Sequence, residues 1–93
     1  GMSTQMEKVL QSTAQGFEMS KRILEVNPKD PLISRLSDLA ANDQHDEFIR
    51  SCGQQFYANA LVVAGLAPDS DSMAKRVESF MKELADSRST IVQ

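Results

Sequence analysis

A single histidine, a single cysteine and a few closely spaced acids are the side chains here with the chemistry for a reactive or ligand-holding site. His45 stands among Asp43, Asp46 and Glu47. An imidazole beside carboxylates is the raw material of a metal site or an acid–base pair. A metal site needs further donors at a set spacing, and there is no second histidine. The same residues read more simply as an acidic helix N-terminus, where carboxylates favour the helix dipole. A nucleophilic Cys52 would need a histidine base and a setting that lowers its pKa. It lies instead midway between Phe48 and Phe56 on an apolar stripe, which reads as a buried thiol. Asp69 and Asp71 read as a helix cap and a first-turn acid. Gly53 and Gly65 stand alone and make no phosphate-binding loop. No catalytic residue, metal ligand or cofactor site is therefore assigned within the chain, and it reads as an interaction module rather than an enzyme.

The sequence has 93 residues, enough for one small domain. A domain of that size buries only about 60–65% of the surface its unfolded chain exposes, and small domains often gain stability by oligomerising. Its net charge of −3 carries no basic cluster, which argues against nucleic acid as a partner. No run of about eighteen apolar residues is present, so no membrane span is expected. No secretion signal is visible and the cysteine has no partner in the chain. Those features point to the cytoplasm. Gly1 before Met2 reads as a tag remnant, which makes Met2 an internal residue of a longer protein.

The elements that must carry any function are helices, and no strand pattern competes with them. The first helix is expected over about 3–13, with Met2, Met6, Val9 and Thr13 on one face and Gly16 stopping it. Residues 1–16 form an exposed amphipathic helix on this reading, and 17–42 a connector and a short helix. The short helix starts at Asp30 or Pro31, with Asp30 as N-cap and Pro31 at the first position, and ends at Ala40; Asn27-Pro28 offers a rival start. Asn42 and Asp43 break it and cap the next. The third helix runs from about Gln44 to Leu66. Phe48, Ile49, Cys52, Phe56, Ala60, Val63 and Leu66 gather on one broad face, and Tyr57, Leu61 and Val62 fall outside it. Gly65 to Ser70 is the turn. The fourth helix runs from about Asp71 to Ser87 with a stripe of Met73, Val77, Phe80, Met81 and Leu84, and with Glu78 and Lys82 placed to pair on its outer side. Residues 43–87 are thus an αα-hairpin and 88–93 a frayed tail.

One hairpin cannot satisfy all of this apolar surface. The surplus at Tyr57, Leu61 and Val62 calls for a partner. Two-fold pairing into a four-helix bundle would supply one, and so would burial inside a larger monomer. The methionines of the first helix suit contact with varied apolar partners, because methionine is flexible and polarisable.

Particular segments also resemble a known family. Met2-Ser3-Thr4-Gln5-Met6-Glu7-Lys8-Val9-Leu10, and then Lys21-Arg22-Ile23-Leu24-Glu25-Val26-Asn27-Pro28-Lys29-Asp30-Pro31-Leu32-Ile33, resemble the C-terminal end of bacterial HtpG, the ninety-kilodalton heat-shock protein chaperones. Tyr57-Ala58-Asn59-Ala60-Leu61, Leu66-Ala67-Pro68-Asp69 and Lys75-Arg76-Val77 follow in the family's order and spacing. The resemblance covers essentially the whole chain. It departs where the family often has Asp-His in place of Lys29-Asp30. It also lacks the acidic Glu-Glu-Val-Asp tail of eukaryotic members, ending Thr90-Ile91-Val92-Gln93.

The resemblance implies an all-α C-terminal fragment of an ATP-dependent stress-response chaperone that acts on unfolded or partly folded client proteins. ATP and Mg2+ would belong to a separate N-terminal domain. The last two helices would pair two protomers in a homodimeric four-helix bundle. The corresponding interface is Phe56, Tyr57, Ala60, Leu61, Val62, Val63, Met73, Val77, Phe80, Met81 and Leu84. Client contact would fall to exposed Met2, Met6, Val9 and Leu10. A stand-alone helical adaptor is the alternative.

Overall fold

The computed structural model describes residues 4–10, 29–42 and 44–92, all helix and turn. The helices are α1 (Thr4–Leu10), α2 (Pro31–Ala40), α3 (Asp46–Val63) and α4 (Ser70–Val92). Met2, the expected helix end at Thr13 and Gly16, the connector through Pro28 and the Asp43 cap lie outside the described residues.

α2 begins where local chemistry dictates. Asp30 takes extended backbone (φ −64°, ψ 128°), and its Oδ1 accepts from the Leu32 N–H at 2.7 Å. That satisfies one of the amide donors left over at a helix start, and Pro31 follows where a missing N–H costs nothing. α3 begins two residues later than expected, with His45 at the cap position making no side-chain cap bond. It ends at Val63 rather than Leu66. The Gly65 N–H bonds the Val62 carbonyl (3.0 Å), and the Leu66 N–H bonds the Leu61 carbonyl (2.8 Å). This pair of bonds is a Schellman motif, and it needs the positive φ of 78° that Gly65 supplies.

Asp69 caps α4 by accepting from the Ser72 and Asp71 amides, and it also accepts from the Ser72 hydroxyl at 2.8 Å. That bond, then those from the Ser72 and Asp71 amides, holds the Asp69 carboxyl below its ordinary value. A lowered pKa stabilises the fold above the ordinary carboxylate range, and the stabilisation is lost as pH falls through the lowered value. α4 continues to Val92, past the expected end at Ser87. Within this last stretch the Arg88 Nη1 and the Ser89 hydroxyl donate to the carbonyls of Leu84 and Ala85, one turn earlier. On the outer face Lys82 pairs with Asp86 at 2.7 Å instead of with Glu78, and Lys75 pairs with Asp71 at 3.5 Å. Both pairs are exposed, so each adds little.

The core is a cluster of Met6 and Leu10 from α1, Ile33, Leu36 and Ala40 from α2, and Ile49 from α3, with Val9, Leu39, Phe48, Cys52 and Phe56 packed around it. α1 packs on both α2 and α3, and these two touch each other less than either touches α1. Leu10 lies against Gly53, where a Cβ would run into its Cδ2. Met6 is 0% and Leu10 2% exposed, which corrects the expectation of an exposed apolar face on the first helix. Met6 and Leu10 seat α1 in this core.

Asp30→Ala should cost about 1 kcal/mol of unfolding free energy in urea titration and Asp30→Asn very little, since asparagine caps as well. Ile49→Ala empties the centre of the cluster and should cost about 2–5 kcal/mol by the same measurement.

Candidate functional site

α3 and α4 run antiparallel from the Gly65 turn. Two contacts tie them along their length. The rings of Phe48 and Phe80 meet edge to face with centroids 6.0 Å apart and planes at 80°. The Arg76 Nε donates to the Gln55 Oε1 at 3.0 Å, and the Gln55 Nε2 donates onward to the Asn59 Oδ1 at 2.9 Å. Gln55 therefore spends its amide on both helices and fixes their register.

Between these helices and α2 lies an open groove of about 480 Å³. Phe48, Cys52 and Phe56 form one wall at four-residue spacing on α3, Phe80 and Leu84 the other on α4, and Leu32 of α2 closes one side. Gln55, Asn59 and Glu83 are its polar members. Beside it α4 presents an apolar stripe to solvent: Val77 is 38%, Met81 61% and Leu84 58% exposed. Val62, Val63 and Leu66 are exposed around the end of α3.

The structure brings three of the expected interface residues together. Phe56, Phe80 and Leu84 line the groove. Met73 is half-buried, Val77 and Met81 are exposed along α4, and Ala60, Val62 and Val63 are exposed on α3. Tyr57 and Leu61 differ from their reading as surplus. They are half-buried in a second hollow that the turn residues Ala67, Pro68 and Asp69 help to close. Of the expected client-contact residues, Met6 and Leu10 are in the core, Val9 is half-buried, and Met2 lies outside the described residues. Spacing places Leu32 on the apolar stripe of α2 but does not single out Gln55. Gln55 is polar at a position that periodicity ignores, and the exposure of Leu32 depends on how α2 meets α3.

Among the described residues, those with reactive potential do not assemble into a reactive centre. Among the described residues no three of His, Cys, Asp and Glu gather where a metal ion could be held. Cys52 is half-buried in the groove wall. Burial, and secondarily the nearby Glu83 carboxylate, pushes its thiol up to about 11. A thiol in that state is protonated at neutral pH and a poor nucleophile. Its contribution to stability is complete below the ordinary thiol pKa and is lost as pH rises toward 11. Among the described residues no helix is long and apolar enough to cross a membrane.

The family model described as Hsp90 protein matches residues 1–92. An endoplasmin homolog of Arabidopsis thaliana is 34% identical over 89 residues, covering 88% of this chain and 11% of that protein. A chaperone protein HtpG of Oleidesulfovibrio alaskensis is 29% identical over 83 residues, covering 89% of this chain and 13% of that protein. Another HtpG, of Desulfitobacterium hafniense, is 41% identical over 61 residues, covering 66% and 10%. The chain thus spans about a tenth of the length of these relatives. No solved structure matches it.

Cys52 should be alkylated by iodoacetamide at pH 8 about a hundredfold more slowly than an exposed thiol, the rate climbing until pH nears 11. Reaction at the rate of free cysteine would show that the thiol does not sit in the apolar wall.

Proposed function

Because the chain belongs to the Hsp90 protein family, we propose that it is the C-terminal dimerisation segment of a molecular chaperone, paired with a second copy through the α3–α4 hairpin. The observation that carries this reading is the exposed stripe of Val77, Met81 and Leu84 beside an apolar groove on the same hairpin. Large apolar side chains clustered in the open mark surfaces that another chain covers. Two-fold pairing uses the same patch twice, so a surface with both a ridge and a groove is suited to it. Two hairpins side by side make a four-helix bundle, the usual answer to two antiparallel helices with one apolar stripe each.

Tying two protomers at one end raises the effective concentration of their distant parts for each other. On this reading ATP and Mg2+ act in a separate N-terminal domain, and the segment contributes the tether rather than a catalytic group. The proposed location is the cytoplasm, and the clients are unfolded or partly folded proteins of the stress response. Client contact through α1 is compatible with the fold only if Met6 and Leu10 leave the core, since both are fully covered in the single chain.

The chain should sediment as a dimer at micromolar concentration. Leu84→Glu should weaken that dimer at least about tenfold, because it buries an unpaired charge in the interface. Leu84 is exposed in the single chain, so the substitution spares the fold itself. A wild-type monomer, or undiminished association of the variant, would sink the reading.

A further inference from the structure

We propose that Met81 makes pairing of this chain sensitive to oxidants: a hydroperoxide converts its thioether to a sulfoxide, and the two copies then part. This control acts on the dimer proposed above and rests on that reading. Met81 is the middle member of the exposed stripe on α4, with Val77 one turn before it and Leu84 one turn after, and is itself 61% exposed. Side chains three and four residues apart share one helix face, so the three form one surface. The other sulfur atoms among the described residues are less open. Met6 is fully buried in the core, and Met73 is half-buried. Cys52 is half-buried in the groove wall with its thiol protonated at neutral pH, the form that peroxide attacks poorly. A thioether has no proton to lose, so access governs how fast Met81 reacts.

The reaction is an oxygen transfer. The Met81 sulfur attacks the terminal oxygen of the hydroperoxide, an S–O bond forms, and the O–O bond breaks. The proton of the transferred oxygen passes to the leaving one. The sulfide is oxidised to a sulfoxide and the hydroperoxide is reduced to water or an alcohol. The product carries a strong hydrogen-bond acceptor at the centre of an apolar surface. Water satisfies that oxygen in the free protomer. In the dimer it is covered, and its stripe neighbours Val77 and Leu84 have no side-chain donor to offer it. Covering an unsatisfied acceptor is costly. Two-fold symmetry applies the cost in both copies. Pairing itself covers Met81, so the oxidant reaches it in the free protomer, and oxidation draws the equilibrium toward that state by mass action. Reduction of the sulfoxide back to the thioether restores the surface.

The test treats the chain with hydrogen peroxide at protein concentrations spanning the dimer range. Mass spectrometry reads one added oxygen on the Met81 peptide, and sedimentation reads the dimer. Each chain is compared with itself before and after peroxide. The unaltered chain should lose affinity for its copy at least about tenfold, and a methionine sulfoxide reductase should restore it. The Met81→Leu chain should keep, through the same treatment, whatever affinity it starts with. Met81 should also oxidise more slowly as protein concentration rises, because pairing covers it. An equal loss in the Met81→Leu chain overturns the proposal, as does a rate of Met81 oxidation that ignores concentration or a thioether that survives peroxide in dilute protein. The two readings fail in different ways. A chain that is monomeric before peroxide overturns the dimer and this control with it, whereas a dimer that survives with Met81 oxidised overturns the control alone.

Discussion

The seating of Leu10 against Gly53 is the contact on which the arrangement of the first three helices depends. α2 has one apolar face and little direct contact with α3. Met6 and Leu10 fill the gap and turn two loosely related helices into one core with Ile33, Leu36, Ala40 and Ile49. A core this small leaves little redundancy. Each of its large members touches several others, so removing one is felt by all.

The hairpin of α3 and α4 obeys a different logic. It is held at its turn by a glycine in left-handed conformation, and along its length by one ring pair and one amide that bonds to both helices. It buries little on its own and leaves Val77, Met81 and Leu84 in the open. The two halves of the chain thus divide the work of folding. The first closes on itself through α1, and the second keeps an apolar surface uncovered.

Local signals in the sequence read well. Of the two starts the sequence offers for α2, Asp30-Pro31 is the one used, and Asp69 caps α4 one residue ahead of its expected start near Asp71, because caps are short-range chemistry. The spacing of Leu32, Ile33, Leu36, Leu39 and Ala40 marks the apolar stripe of α2, of which Ile33, Leu36 and Ala40 are buried and Leu32 is exposed. What the sequence hides is tertiary. Nothing local says that Met6 and Leu10 find a cleft formed by residues far along the chain. Gly53 holds the one hint, since a glycine inside a long helix usually has a packing reason. A helical projection leaves Tyr57 and Leu61 uncovered because it cannot see the turn residues that close a hollow over them. Lys82 chose Asp86 over Glu78 between two partners of equal spacing, a choice that pattern alone leaves open.

The edge-to-face contact of Phe48 and Phe80 also acts as a fulcrum. α4 continues from Phe80 to Val92, a rigid arm of about 18 Å at helical rise. A turn of about ten degrees at the ring pair swings the far end of that arm through about 3 Å. Two aromatic side chains, one in the first turn of α3 and one midway along α4, thereby set where the last turn of α4 points, and any assembly built on that end inherits the precision of their packing.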